Sequence, residues 1–430
     1  MVTLRWTLWI ALLAGCGGGA GSVDAPVDQV TFYSNIRHVV IIVQENHTFD
    51  SYFGRYCTAA PGSAPTCTDG PSCCEAAPAT EPSGASPIVL DDTTNAAYDR
   101  NHTQACELSE IDGGLMDHYV VGGTGVGCSD ARNFAIASDA ASLYHGYASS
   151  YALADHYFQP LAGQTSANDM YFAVAKFVFA DNGYKPNSVG HGCQEIGVPT
   201  VTYTGQTTIA DLLIAAGFSF AFYAEGYNAM KTSQICPLAP SDCPFGVAYY
   251  PCTYDPSDVP FEYYAQFVDN GQYMKDFDDL APAISGGTLP VVSFVKALGY
   301  KTEHPGYGNT LGAGTAFVDG VVKSILGSPY ADDTLILVTW DEGGGFYDHI
   351  APPGLNDVDQ KPYGTRVPLL ALGKFARKNT ISHVPMEHSS LLKFLELNFL
   401  GSTGQLGARD MTVNNIGSLL DPSVTGLAIP

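Results

Sequence analysis

Short, mostly apolar runs alternate along this chain with longer amphipathic stretches. Residues 36–43 (IRHVVIIV), 218–224, 289–295 (LPVVSFV), 334–339 (TLILVT) and 366–372 (RVPLLAL) are such runs, mostly of Val, Ile, Leu, Phe and Ala. Runs this short, without polar alternation, predict strands buried on both faces. Residues 147–158, 168–176, 208–216, 316–326 and 389–399 instead space their apolar positions as a helix does, and helices are expected there. Such alternation predicts an α/β sandwich: a mostly parallel central sheet with helices on both faces. Two stretches break the pattern, one near 55–90 rich in Pro, Ala, Ser, Thr and Cys, the other at 226–264 rich in Cys, Pro and Tyr. Both predict loop insertions on a single domain running from 36 to 430. No sequence period repeats, which excludes a solenoid or propeller.

Polar residues collect where the apolar runs stop. Gln44-Glu45-Asn46-His47-Thr48-Phe49-Asp50 follows the first run directly. Asp341-Glu342 closes the 334–339 run, three glycines turn the chain, and Asp348-His349 comes next. In α/β sheets chemistry gathers at the carboxyl ends of strands. Two adjacent acids there repel unless a cation or donors offset them. Glu45, Asn46, Asp341 and Glu342 offer the hard oxygens a divalent cation takes; the bland alternative is a helix cap or a solvated pair. Residues 159–168 (QPLAGQTSAN) loosen at Gly163 and place Thr165 and Ser166 at a turn opening a helix. A hydroxyl there can meet an anion beside free N–H groups, or simply cap the helix. His118 lies in a polar loop at 112–118, and Lys296, Glu303 and His304 follow the 289–295 run.

Charge narrows the function. With 43 acids against 19 bases the net charge is -24, a surface that repels nucleic acid and anionic membranes. A phosphate bound by such a chain is expected to be held by metal and histidine more than by a basic patch. At the N-terminus Arg5, an apolar stretch over 6–13 and Leu13-Ala14-Gly15-Cys16 predict a lipoprotein-type signal over 1–15, with lipid on Cys16 and a flexible tether over 16–35. The alternative is an ordinary secretory signal. The protein is expected to be exported: as a lipoprotein to the periplasm or cell surface, touching membrane only through that anchor, and otherwise secreted. The remaining ten cysteines, an even number all before residue 260, predict disulfides of open connectivity. Two sequons, Asn46-His47-Thr48 and Asn101-His102-Thr103, are read as chance.

Several motifs, in one order, resemble a known family. Residues 44–54 (QENHTFDSYFG) are similar to its QENRSFDHYFG signature, 116–118 to its MDH, and 152–168 (ALADHYFQPLAGQTSAN) to its ALADNYF…GPTxPNR. EHPG at 303–306, TWDEGGGFYDHIAPP at 339–353, GTRVPLLALGKFAR at 364–377 and HSSLLKFLE at 388–396 continue the match. The family is that of the bacterial phosphoesterases: phosphatidylcholine-type phospholipases C, their plant non-specific relatives and related acid phosphatases. The resemblance implies an alkaline-phosphatase-like sandwich. It implies one divalent metal ion on Glu45, Asn46, Asp341 and Glu342, with Thr165 as nucleophile. His118, His304 and His349 would bind phosphate or move protons, and Asn168 would hold the phosphoryl group. The implied activity is metal-dependent hydrolysis of a phosphate ester, in the manner of a phospholipase C, through a phosphothreonine; the alternatives are a broad acid phosphatase and a non-catalytic surface-binding lipoprotein. Here His47 replaces an arginine of the signature, His156 an asparagine, and Ala167-Asn168-Asp169 stands for Pro-Asn-Arg.

Overall fold

The first apolar run becomes the middle of the sheet. The computed structural model describes Met1 and residues 30–194, 196–233 and 236–430. Residues 2–29, with Cys16, nearly all of the expected signal and most of the tether, lie outside the described residues. Eight strands form the main sheet: β1 (His38–Gln44), β2 (Ala152–Ala154), β3 (Phe220–Ala224), β4 (Met274–Asp276), β5 (Val292–Lys296), β6 (Thr334–Trp340), β7 (Leu369–Leu372) and β8 (Thr380–Ser382). Their order is β8-β2-β7-β6-β1-β5-β3-β4. Only β7 runs against its neighbours; the other pairings are parallel. Every residue of β6 is buried, as are Val39 to Gln44 of β1. Both faces are therefore covered, as the unbroken apolar runs require. Each such Val, Ile or Leu contributes about 1.5–3 kcal/mol, and Ile41→Ala would cost about 2–5 kcal/mol. Thr31 to Pro430 forms one compact unit.

Five helices matter below: α1 (Phe49–Phe53), α2 (Ser142–Ser150), α3 (Thr165–Asp169), α4 (Leu311–Leu326) and α5 (His388–Leu395). The α4 helix starts earlier than its apolar spacing suggests, capped by the Thr310 hydroxyl, which accepts from Ala313 N at 3.2 Å. Its early turns hide behind Gly312 and Gly314. A Cβ on Gly314 would sit 2.1 Å from Glu303 Cγ, so glycine is kept there for close approach, against its poor helix propensity.

The helix expected over 147–158 is a correction. It ends at Ser150, and Ala152-Leu153-Ala154 becomes β2, wedged between antiparallel β7 and parallel β8. Ladders on both sides and complete burial of three small or apolar side chains override the helical preference of Ala and Leu. The strand expected from 366 begins at Leu369, because Pro368 has no N–H to give and Arg366 serves elsewhere. All ten of the remaining cysteines pair: Cys57–Cys74, Cys67–Cys73, Cys106–Cys128, Cys193–Cys236 and Cys243–Cys252.

Candidate active site

Strand register builds the site. Gln44 pairs with Trp340 at the ends of β1 and β6, so Glu45-Asn46 and Asp341-Glu342 leave the sheet side by side. Asp341 N donates to Gln44 O at 3.0 Å. Asp341 Oδ1 accepts from Asn46 N at 3.1 Å and Glu342 N at 2.8 Å, fixing both turns. Asn46 is held at φ +61°, a left-handed conformation that costs a residue with a Cβ about 1–2 kcal/mol. Gly344 packs on it so closely that an added Cβ would lie 2.6 Å from Asn46 O and Cβ. From behind, His388 of α5 sits with Nε2 2.6 Å from Asp341 O; burial pushes its pKa down to about 3, so it is a neutral prop.

A second loop carries the hydroxyl. Gly163, at φ +134°, lets residues 161–164 fold back on Asn168. That side chain donates to Gly163 O at 2.8 Å and Gln164 O at 3.2 Å, and accepts from Leu161 N at 3.0 Å. Gly163 N also donates to the buried Glu107 Oε2 at 2.8 Å. Thr165 then opens α3 with its Oγ1 3.3 Å from Glu342 Oε1 and 3.4 Å from Asn46 Oδ1. It is 5% exposed and lines a cleft of about 400 Å³.

The acids are heavily loaded. Lys296, at the end of β5, places its Nζ 2.9 Å from Glu45 Oε1 and 3.9 Å from Asp169 Oδ2. Tyr250 OH donates to Glu45 Oε2 at 2.8 Å. Burial alone would raise the Glu45 carboxyl; Lys296, His304 and Tyr250 outweigh it and hold it below its usual range. Burial pushes Asp341 up to about 6 although Lys296 pulls the other way. Burial and then Asp341 raise Glu342 well above a normal glutamate. Asp341 Oδ2 and Asp169 Oδ2 are both buried; among the described residues Asp341 Oδ2 accepts no hydrogen bond, and Asp169 Oδ2 has only Lys296 Nζ at 3.9 Å. Unpaired buried carboxylate oxygens are costly, and one lysine does not balance these acids. Asn46 Oδ1, Glu342 Oε1 and Thr165 Oγ1 bring together hard oxygens of the kind a divalent cation takes, within 3.3–3.4 Å of the hydroxyl, and the bare Asp341 Oδ2 is a charge such an ion would offset.

Two histidines face the same cleft. His102 has Nδ1 2.7 Å from Arg100 O, and His304 has Nδ1 2.7 Å from Pro305 O. A carbonyl only accepts, so each Nδ1 carries a proton, and His102 Nε2 also lies 3.5 Å from Asn46 Nδ2. His102 Nε2 lies 3.4 Å from Glu342 Oε1. With Asp99 the two rings bring ligand atoms within 4.8 Å of one another; Glu45, Asp341 and Glu342 do not form such a group among the described residues.

The structure thus brings Glu45, Asn46, Thr165, Asp341, Glu342 and His304 together, and separates three other expected residues. His118 is not at the cleft. It lies partly exposed with Asp112 and Asp117, its Nδ1 3.2 Å from Ser109 O, because the 112–118 loop closes on its own helix. His349 is turned away, with Nδ1 2.7 Å from Asp50 Oδ2 and Nε2 3.2 Å from Glu75 Oε2. Asn168 spends both ends of its amide on backbone and has none left for a phosphoryl group. His102, Asp99, Asp169 and Tyr250 are site residues the sequence reading gave no role, and Lys296 was noted there only for its place after the 289–295 run. The only signal for His102 was its place in a sequon.

The sequence profile of the Phosphoesterase family matches residues 36–400. The chain belongs to that family. Within the Phosphoesterase family it is 24% identical over 405 residues to the Hemolytic phospholipase C of Pseudomonas aeruginosa, covering 85% of this chain and 53% of that protein. It is 23% identical to the Non-hemolytic phospholipase C of Burkholderia pseudomallei, covering 85% and 55%, and 24% identical to Phospholipase C B of Mycobacterium tuberculosis, covering 90% and 77%. The chain spans about half the length of the first two relatives. Among solved structures it is similar to a protein in the alkaline phosphatase superfamily from Vibrio parahaemolyticus, at 13% identity and TM-score 0.39, covering 92% of this chain and 76% of the other.

Proposed function

We propose that this chain hydrolyses phosphoric esters with Thr165 as nucleophile, and that its substrates are phosphodiesters of the phospholipase C type. The observation that carries the reading is Thr165 Oγ1 itself, held on the cleft floor between Asn46 Oδ1 and Glu342 Oε1. A bound divalent cation on Glu45, Asn46, Asp341 and Glu342 would lower the pKa of that hydroxyl and offset charge on the phosphoryl oxygens. The chain's own residues do the rest. Asn168 and Gly163 fix the loop so that the hydroxyl enters the cleft in one orientation. Thr165 Oγ1 attacks phosphorus, the alcohol leaves, and a phosphothreonine forms; water then breaks the new P–O bond and restores the hydroxyl. His102 or His304 would take the Thr165 proton on Nε2 as the hydroxyl attacks and pass it to the leaving alkoxide, then take a proton from the water and return it to Thr165 Oγ1.

The lining favours a diester over a monoester. Tyr250 meets His304 and Tyr307 edge to face and those two rings are tilted to each other, with centroids 5.4–5.7 Å apart, and Asp255 and Asp258 stand in the same cleft. Among the described residues no Arg or Lys lines it. Aromatic faces and carboxylates attract an alkylammonium head group, whereas a phosphomonoester dianion would meet repulsion. The comparison of p-nitrophenyl phosphorylcholine with p-nitrophenyl phosphate tests this. A kcat/KM at least about tenfold higher for the first, about 1.4 kcal/mol, is expected; the reverse order makes the chain an acid phosphatase. No turnover of either with added Mg2+, Mn2+ or Ca2+ leaves the non-catalytic reading. Export as a lipid-anchored protein is part of the same proposal. Five disulfides support an oxidising compartment, and labelling of Cys16 with a fatty-acid analogue tests the anchor.

A further inference from the structure

A second cluster of histidines stands outside the cleft, at the far edge of the sheet. Strands β2 and β8 run parallel with Ala154 opposite Ser382, so Asp155-His156 and His383 leave the sheet together. Asp155 N donates to Ser382 O at 3.0 Å. The Asp155 carboxylate is almost wholly buried, with His156 Nδ1 2.8 Å from its Oδ1 and His383 Nδ1 2.8 Å from its Oδ2. One ligand atom from each of the three residues falls within 4.8 Å of the others.

The proton count at His383 is informative. Its Nε2 lies 2.7 Å from Cys67 O, and a carbonyl can only accept, so Nε2 holds a proton. Nδ1 then faces a carboxylate oxygen and needs a positive centre between them, either a second proton or a metal ion. An imidazole that gives its outer N–H to a backbone carbonyl and its inner nitrogen to an ion is the ordinary arrangement of a metal-bound histidine. The side chains of His156 and His383 are 34% and 23% exposed, which leaves an approach from solvent and a fourth position for water.

We propose that Asp155, His156 and His383 form a binding site for a divalent transition metal of the zinc kind, separate from the catalytic cleft. Two imidazoles, one carboxylate and a water make a four-coordinate set suited to Zn2+. Binding replaces the proton on His383 Nδ1, which is released to solvent, while Nε2 keeps its proton on Cys67 O; His156 coordinates through Nδ1 with its ring proton on Nε2. The ion would staple the disulfide-bonded insertion to the sheet edge. Cys67 belongs to that insertion, and Ile381 N already donates to Thr68 O at 2.7 Å. His156 is also the position where the motif of the resembling family has asparagine, so the third ligand is a property of this chain.

The test is zinc titration of the metal-stripped full chain by calorimetry, read as equivalents bound and as the shift in Tm. His156→Asn and His383→Gln are each expected to bind one equivalent fewer than the unsubstituted chain and to lose the zinc-dependent rise in Tm, while kcat on p-nitrophenyl phosphorylcholine with saturating Mg2+ is unchanged. Equal equivalents and equal Tm shifts in all three proteins overturn the proposal and leave the cluster a hydrogen-bonded His–Asp–His group. Should His383→Gln fail to fold, the more exposed His156→Asn decides alone.

Discussion

The segments 44–50 and 340–349 run beside each other, and their two halves do opposite work. Their first halves place Glu45, Asn46, Asp341 and Glu342 at the cleft. Their second halves form a closed ionic lock. Arg366, 1% exposed, donates to Asp348 Oδ1 at 2.8 Å, Asp50 Oδ1 at 3.1 Å and Asp155 O at 2.9 Å. His349 adds its ring to Asp50 and Glu75, and Thr48 Oγ1 donates to Tyr347 O at 3.0 Å. Both regions hold buried acids and a histidine. What separates them is satisfaction: the Asp50 and Asp348 oxygens of the lock have partners, whereas the cleft keeps bare carboxylate oxygens and a left-handed Asn46. Strain and unmet polar groups persist where something else is to be bound.

The sharpest way to break the comparison is to remove one group from each side. Thr165→Ala should lower kcat by about 10⁴-fold or more, the scale on which loss of a nucleophile reads, with Tm and circular dichroism unchanged, because its hydroxyl makes only long contacts. Retained turnover would hand the role to Ser166 or to water. Arg366→Met should do the reverse. It strands Asp50 and Asp348 in the interior and costs about 3–5 kcal/mol, measured by urea denaturation, with activity falling only as the folded fraction falls. A smaller effect belongs to His102→Gln, expected to lower kcat by about 10²–10⁴-fold at unchanged stability. A change under threefold would move the proton transfers to His304.

These outcomes bear on what could be read without coordinates. The strands at β1, β5 and β6 were legible because an apolar run buried on both faces has few alternatives, and the oxygens at their ends followed from position alone. His102 was not. Nothing in Asn101-His102-Thr103 marks it, and it reaches Glu342 only because the loop before it folds across the cleft. Lys296 was legible only as a polar residue following the 289–295 run, and the neighbouring strand ends show that it answers Glu45. His349 and Asn168 sat in the right motifs for the wrong reason, since a conserved-looking string does not tell a ligand from the residue that props the ligand. The β2 strand was hidden because Ala and Leu favour helices until two neighbours offer ladders.

His349 sharpens the comparison most finely, because catalysis and the lock predict different pH behaviour for it. Burial alone would lower its pKa, yet the contact with Asp50 outweighs burial and raises it above the ordinary value of 6.5. A raised histidine gives its full stabilisation below its unfolded pKa and loses it as pH climbs through the folded one. Asp50 moves the other way. Burial would raise it, but His349 and Arg366 hold it below 3.8, so its share is present above that value and lost as pH falls through the depressed one. The cost of His349→Gln, about 1–3 kcal/mol for a buried charged hydrogen bond, should therefore be greatest between roughly pH 4 and 6.5 and shrink on the alkaline side, when denaturation is followed across pH. At pH 7, kcat should stay within about threefold of the unsubstituted enzyme, since a proton-transfer role would be worth about 10²-fold or more. A loss of that larger size at every pH, with no change in stability, would put His349 back at the cleft and undo the division between the two halves.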